Sequence, residues 1–509
     1  MDTRSLWLDS PGGVTDFPPP GDDLSCDVLV IGGGITGATA AWLLASEGVD
    51  VILVERQQPG RRDTAHTTGH LTYMTDTRLS DLVATHSRKE AQQAWQAGKA
   101  AMDLIESTVA ALNIECSLKM VPGYLVAAQG GDLREERSLL QREAQLAHQM
   151  GFDVRFDETC PLTNRPGIRF ARQMEFHPLR YMNALIQRAA GAGARIYGDS
   201  EVSAFEEDPQ SVRVAGNVLR YNKVFIATHV PLQGNARTTG AALFQTKLAL
   251  YSTYAVAAPW NQDSLQDLIW SDTADPFLYL RIGGTGGQRM VILGGEDYKT
   301  GMVAETAGIY QRLEGKLVEF LPGAEVSHRW SGQVVETVDG LPFIGATDES
   351  QFIATGFSGN GLTFGTVAAM MCRDWVLGRE NEWTGLFSPS RRSASSVMDY
   401  LRENKDFPVR MITDRLKTRE GNPEELKPGE GQVLEHRCQR MAAYRDCEGQ
   451  LHLMSAICPH LGCIVAWNET EATWDCPCHG SRFSAEGRVI AGPAESDLKP
   501  IKAGQATGT

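Results

Sequence analysis

Four side chains near the C-terminal end of this 509-residue chain stand at metal-ligand spacing. Cys458-x-His460, in ICPHLGC, is followed after fifteen intervening residues by Cys476-x-x-His479, in WDCPCHGSRF. Two loops that each offer one thiolate and one imidazole suit a two-iron cluster, with the thiolates on one iron and neutral imidazoles on the other. Two Cys and two His also make a structural zinc set. Zinc, however, calls for neither Cys463 and Cys478, one left over in each loop, nor the flanking Pro459, Gly462, Pro477, Gly480 and Ser481. The two remaining cysteines could bridge the loops as a disulfide.

A second chemistry lies near the other end, where residues 26–56 read CDVLVIGGGITGATAAWLLASEGVDVILVER. The apolar run 27–31 predicts a strand. Gly32, Gly34 and Gly37 follow at G-x-G-x-x-G spacing and open a helical run rich in Ala and Leu. A second apolar run, 51–54, ends in Glu55, 18 residues beyond Gly37. Gly32 permits the turn, Gly34 lets backbone approach a pyrophosphate, and Gly37 lets helix pack close on strand. The helix N-terminus then presents free N–H groups and its positive dipole end to the phosphates, and Glu55 is placed to accept hydrogen bonds from a ribose. A glycine turn in an ordinary α/β domain is the bland alternative. Strand, helix, second strand and acidic terminus in one unit favour the dinucleotide site.

The elements that must position these residues fit about three domain-sized units. Apolar residues make up 42% and charged residues 22%, ordinary globular usage, and no apolar run is long enough to span a membrane. The start, MDTRSLWLDSPGG, has no apolar signal core, which points to the cytoplasm. A net charge of -15 disfavours nucleic acid and anionic membrane as partners. Residues 1–25 read as an extended lead-in and 61–75, RRDTAHTTGHLTYMT, as a loop. Helices are expected over 79–112 and 131–149, and strands over 119–128, 202–205, 212–214, 221–228, 245–259 and 276–295. Nucleotide-binding segments at about 26–80, 170–240 and 330–390 alternate with others at about 81–169 and 241–329. That interleaving predicts two domains threaded through each other. A charged connector, 391–427, with one amphipathic piece at 397–416, leads to the module at 428–509. Cys26, Cys116, Cys160 and Cys372 read as small buried hydrophobes, and Cys438 and Cys447, which have no ligand spacing, as structural.

Four separated motifs, the opening unit, VFIAT (residues 224–228), WSGQVVETVDGLPFIG (330–345) and FIATGFSGNGLTFGTVAAMM (352–371), come in one order. In this the stretch 25–390 resembles the FAD-dependent oxidoreductases of the D-amino-acid oxidase and glycine oxidase type. The resemblance implies an α/β, Rossmann-like FAD-binding domain of the glutathione-reductase type interleaved with an α+β substrate domain. It places Gly32, Gly34, Ile35, Thr36 and Gly37 at the phosphates, Glu55 with Arg56 at the ribose and Val202 near adenine. Thr68, Gly332 and the loop Gly359 to Gly361 fall at the flavin end. His66 lies where the related dimethylglycine and sarcosine dehydrogenases carry a histidine bonded covalently to flavin, and is weighed against an ordinary loop histidine. Where glycine oxidase clamps the substrate carboxylate with an arginine, Val334 stands here. A carboxylate would be poorly stabilised there unless Arg281 or Arg329 replaced that cation. His177 and His229 read as satisfied polar residues, and Tyr251, Tyr279, Asp297 and Tyr298 fall on strands expected to roof the flavin.

The cysteine-rich module resembles the Rieske iron-sulfur domain, an all-β fold. The resemblance implies a [2Fe-2S] cluster on Cys458, His460, Cys476 and His479, with Cys463 paired to Cys478. Phe483 holds the place of a tyrosine that donates to the cluster in high-potential Rieske proteins, which predicts a lower or middle potential, within roughly -150 to +300 mV. Flavin accepting electrons in pairs beside a cluster that moves them singly makes a two-to-one converter. The function expected is oxidation of a C–N bond in an amine or N-substituted amino compound, with electrons leaving through the cluster. The external acceptor would be a small redox protein, a quinone or dioxygen. No catalytic residue is singled out. The alternatives are a NAD(P)H-dependent flavin and Rieske reductase, which lacks its second nucleotide fingerprint here, and a non-catalytic redox sensor or electron carrier. An open, substrate-sized cavity would favour the enzyme.

Overall fold

The structure, a computed structural model, describes residues 3–10, 15–231, 247–262, 265–285, 287–302, 306–391, 419–436 and 439–501. Most of the connector, with the piece at 397–416, and Cys438 lie outside these. Along the chain run β1 (Leu24–Ile31), α1 (Ile35–Ser46), β2 (Val51–Val54), β3 (Arg195–Tyr197), β4 (Asn217–Ile226), β5 (Leu248–Pro259), β6 (Tyr279–Thr285) and β7 (Gln288–Lys299). There follow α2 (Ile309–Phe320), β8 (His328–Thr337), β9 (Gln351–Thr355) and α3 (Gly361–Val376).

One sheet has the neighbours β9, β4, β1, β2 and β3, all parallel. Its strands are apolar where helices and loops cover both faces: the last four residues of β1, the last three of β4 and every residue of β2 are buried. Gly37 sets how close α1 lies to β1: a Cβ there would stand 1.9 Å from the Gly32 carbonyl oxygen. Gly32 itself has φ 110°, a conformation that suits glycine.

The second sheet runs β8, β5, β7, β6, then Leu268–Asp272, Lys119–Val126, Gly167–Glu175 and His70–Leu71. β8 pairs antiparallel with β5, so this strand, grouped by the sequence with the nucleotide-binding segments, belongs to the large sheet. The apolar side of α2, with Leu313 and Leu317, packs on one face of this sheet together with Tyr254, Val256 and Leu293. The opposite face looks toward β1 and α1. Because side chains alternate along a strand, Tyr254 and Tyr298 fall on the α2 side, where their hydroxyls meet at 2.7 Å. Their neighbours Thr253 and Asp297 fall on the other side.

The C-terminal module holds two four-stranded sheets, antiparallel except where Arg419–Glu420 joins Gly431–His436. The lead-in departs from the expected extended chain. Leu6–Asp9 is a short helix that buries Trp7 completely, and the Trp7 indole N–H donates to the Thr67 carbonyl at 2.6 Å. The Ser5 hydroxyl reaches the Ala65 carbonyl. The segment therefore braces the loop that follows β2. No helix among the described residues is long and apolar enough to cross a membrane.

Candidate active site and cluster centre

A cavity of about 830 Å³ lies between the two sheets. Every residue assigned to the cofactor from the sequence lines it except Gly37, which sits behind as the packing contact. At the nucleotide end, Gly34 caps α1 with no side chain, so the first turn faces the cavity, although Thr64 already takes the Ile35 N–H at 3.0 Å. The two Glu55 oxygens accept backbone N–H groups from Gly33 at 2.7 Å and Gln57 at 3.0 Å. A carboxylate has four acceptor sites, so the bonds that fix its orientation leave room for ribose hydroxyls. Val202 borders the same end. At the other end Thr68 hydrogen-bonds His70 across 2.8 Å, and the Gly359 N–H donates to Asp76 at 2.6 Å. Gly361 begins α3. An open cradle with backbone glycines at one end and a fixed loop at the other fits FAD.

His66 lines the cavity, its Nδ1 2.9 Å from the Arg62 carbonyl oxygen, and its own carbonyl accepts the Trp330 indole N–H at 2.9 Å beside Gly332. Val334 also borders the cavity. The two arginines considered as substitutes for the carboxylate clamp are committed elsewhere. Arg281 is 1% exposed, pairs with Glu175 at 2.9 Å and donates to the carbonyls of Thr68, Gly69 and Phe176. Arg329 pairs with Glu314. His177 caps the helix Pro178–Gly191 and meets Ser10, whereas His229 borders the cavity with φ 65°.

In the C-terminal module the thiols of Cys458 and Cys476 lie within hydrogen-bonding reach of each other and Cys458 also meets Ser481. The rings of His460 and His479 stand perpendicular with centroids 4.9 Å apart. Burial pushes His460 down to about 4 and His479 to about 3, which keeps both imidazoles in the neutral, ligating form. Among the described residues no three His, Cys, Asp or Glu side chains converge on one point. Two thiols paired with each other and two imidazoles paired with each other fit the two irons of a [2Fe-2S] cluster. Cys463 and Cys478 form a disulfide joining the loops.

The module is docked, a feature no motif announced. The Gln333 side chain on β8 donates to the Gly480 carbonyl at 2.8 Å, one residue from His479. Glu471 accepts from Tyr310 at 2.8 Å and Ser331 at 2.6 Å, and Asn468 reaches the Tyr254 and Tyr298 hydroxyls at 3.3 Å. Two glycines mark the closest approaches: a Cβ on Gly301 would come 2.7 Å from the Pro477 nitrogen, and one on Gly480 would come 2.4 Å from the Leu250 Cβ. Arg56, expected at the ribose, borders the cavity and donates to the Ile490 carbonyl at 2.8 Å. Arg482, Ile490 and Gly492 line that cavity as well.

Residues 27–375 match the family model described as FAD dependent oxidoreductase, and residues 417–502 match the Rieske [2Fe-2S] domain. The chain belongs to the DAO family of FAD-dependent oxidoreductases and carries a Rieske domain at its C-terminal end. Its cofactors are FAD and a [2Fe-2S] cluster. It is 31% identical over 495 residues, 96% of either chain, to YhfW of Bacillus subtilis (strain 168), which is named as a Rieske 2Fe-2S iron-sulfur protein. The fold is similar to that of glycine oxidase from Geobacillus kaustophilus, with a TM-score of 0.59 at 20% identity over 72% of this chain and 99% of that one. L-proline dehydrogenase from P. horikoshii gives 0.59 at 19% identity, over 72% and 98%.

Proposed function

We propose that this oxidoreductase oxidises a C–N bond of an amine-type substrate and passes the electrons through its Rieske cluster to an external acceptor. When bound, FAD supplies the two-electron oxidation and the cluster supplies one-electron transfer. The observation that carries the reading is the seat of the loop 476–480. It is held by Gln333, the residue next to Gly332 at the flavin end of the cavity. The cavity also extends past the cradle to Phe277, Tyr279 and Asp297, which leaves space for a substrate and favours an enzyme over a carrier. In this reading Gly32, Gly34, Ile35, Thr36 and Glu55 hold the nucleotide half of FAD, and Thr68, Gly332, Gly359 and Gly361 border the flavin half. Cys458, His460, Cys476 and His479 hold the cluster.

The test is anaerobic mixing of the loaded protein with a panel of amines, N-methylated amino acids and NADH, following flavin absorbance and the cluster's electron paramagnetic resonance signal. Bleaching by an amine, followed by a reduced Rieske signal, is the expected outcome. Reduction by NADH alone would replace this reading with a reductase.

A further inference from the structure

The cavity wall opposite the nucleotide cradle belongs to the large sheet, and its charged corner is Asp297 on β7. Strand alternation turns Tyr298 toward α2 and leaves Asp297 on the cavity side with Tyr279 of β6 and Thr253 of β5, whose hydroxyls meet at 2.6 Å. Asp297 Oδ1 is buried and has no hydrogen-bond partner among the described residues. Burial raises its acid to about 7, a hydrogen bond from Thr253 offsets part of that rise, and the charges of Asp76 and Glu296 add to it. Among the described residues no positive side chain shifts it. Asp76 already accepts from the Gly359 N–H and from Asn360 Nδ2 at 2.9 Å. His70, edge-on to Tyr279, is held neutral, burial pushing it to about 4. Arg78 borders the cavity at the start of the helix Leu79–Thr85 but is not among the charges acting on Asp297. A largely buried carboxylate with one oxygen unpartnered and only a hydroxyl bond to offset its burial is costly until a cation arrives. Phe277 and Tyr279, 5.8 Å apart, form an aromatic wall beside it.

We propose that Asp297 is the anchor for a positively charged substrate nitrogen, so that the site takes an ammonium-bearing amine whose hydrocarbon part lies on Phe277 and Tyr279, and repels a free carboxylate from this corner. This rests on the amine-oxidation reading above and names the substrate class for that same site. Asp76, the other carboxylate acting at this corner, strengthens the preference for a cation, whereas Glu296 is paired with Arg312 at 2.6 Å and lies outside the cavity lining.

The experiment compares 2-phenylethylamine with 3-phenylpropanoate on the FAD- and cluster-loaded protein, anaerobically, by perturbation of the flavin spectrum and by calorimetry at pH 8 and pH 6. At pH 8 the amine is expected to bind at least about tenfold tighter than the carboxylate. The preference shrinks toward pH 6 as Asp297 takes up its proton. Asp297→Asn should weaken amine binding and strengthen carboxylate binding. Carboxylate binding as tight as amine binding overturns the proposal, as does an unchanged ratio in the variant. Should the variant fail to fold, a wild-type ratio that stays flat between the two pH values overturns it too. An amine that binds in this Asp297-dependent way yet never bleaches the flavin supports the anchor and sinks the C–N oxidation reading instead.

Discussion

The four cluster ligands come from two short loops of one small module, whereas the FAD cavity draws its walls from both large sheets, the loop after β2 and the Rieske strands. In the first site each ligand supplies a bond that nothing else can replace. In the second many weak contacts share the work, so the loss of one is partial. The seam between them, at Gln333, Gly301 and Gly480, behaves like neither, because it holds no cofactor and yet sets how the two sites face each other.

Substitutions sharpen that contrast. Cys458→Ser should abolish the Rieske resonance altogether while leaving flavin reduction by substrate intact; turnover with a one-electron acceptor that survives the change would break the relay. Next in size is the seam. Gly301→Ala places a Cβ against the Pro477 nitrogen at a residue with φ 77°, a strain of about 1–3 kcal/mol. It should undock the module and slow cluster reduction after mixing, with both cofactors still spectroscopically normal. Gln333→Leu leaves the Gly480 carbonyl without its donor, which costs about 1–3 kcal/mol, and should slow the same step by less. Asp297 gives a smaller effect of opposite sign. Its acid is raised in the folded state, so its stabilising contribution is present below the unfolded Asp value and is lost as pH rises through about 7. Asp297→Asn is expected to melt a few degrees above the wild type at pH 8 and close to it at pH 5, by calorimetry. Smallest of all, Phe483→Tyr should raise the cluster's midpoint potential by tens of millivolts in a redox titration. Phe483 is fully buried in the same apolar cluster as Cys458 and Cys476, where an added hydroxyl would have few partners but the cluster.

The comparison also explains what could be read from the chain. Sites whose groups lie close in sequence, the glycine turn at Gly32 to Gly37 and the two Cys and His loops, were legible because spacing alone fixes their geometry. Burial of Cys26 and Cys116, whose thiols are pushed up to about 12 and about 11, likewise followed from their standing singly with no ligand spacing. Contacts between distant elements left no such trace. Nothing in the composition of the lead-in signalled that Trp7 would be buried against Thr67, since one aromatic residue has no period. Asp297 and Tyr298 were read together as a roof, although only one of two adjacent strand residues can face the cavity. Which one depends on the register of β7 against β5, with its irregularity between Ser252 and Tyr254. Arg281 and Arg329 could not be separated from a substrate clamp until Glu175 and Glu314 were in place beside them.

The bond from Arg56 to the Ile490 carbonyl bears on how the protein is put together in time. Ile490 and Gly492 border the cavity that Val202 and Glu55 also line, so the nucleotide end is roofed by a domain made after the one it covers. A flavin that enters early meets an open doorway, and one that leaves late must wait for a neighbouring domain to lift. Retention of the one cofactor is thereby tied to maturation of the domain that houses the other.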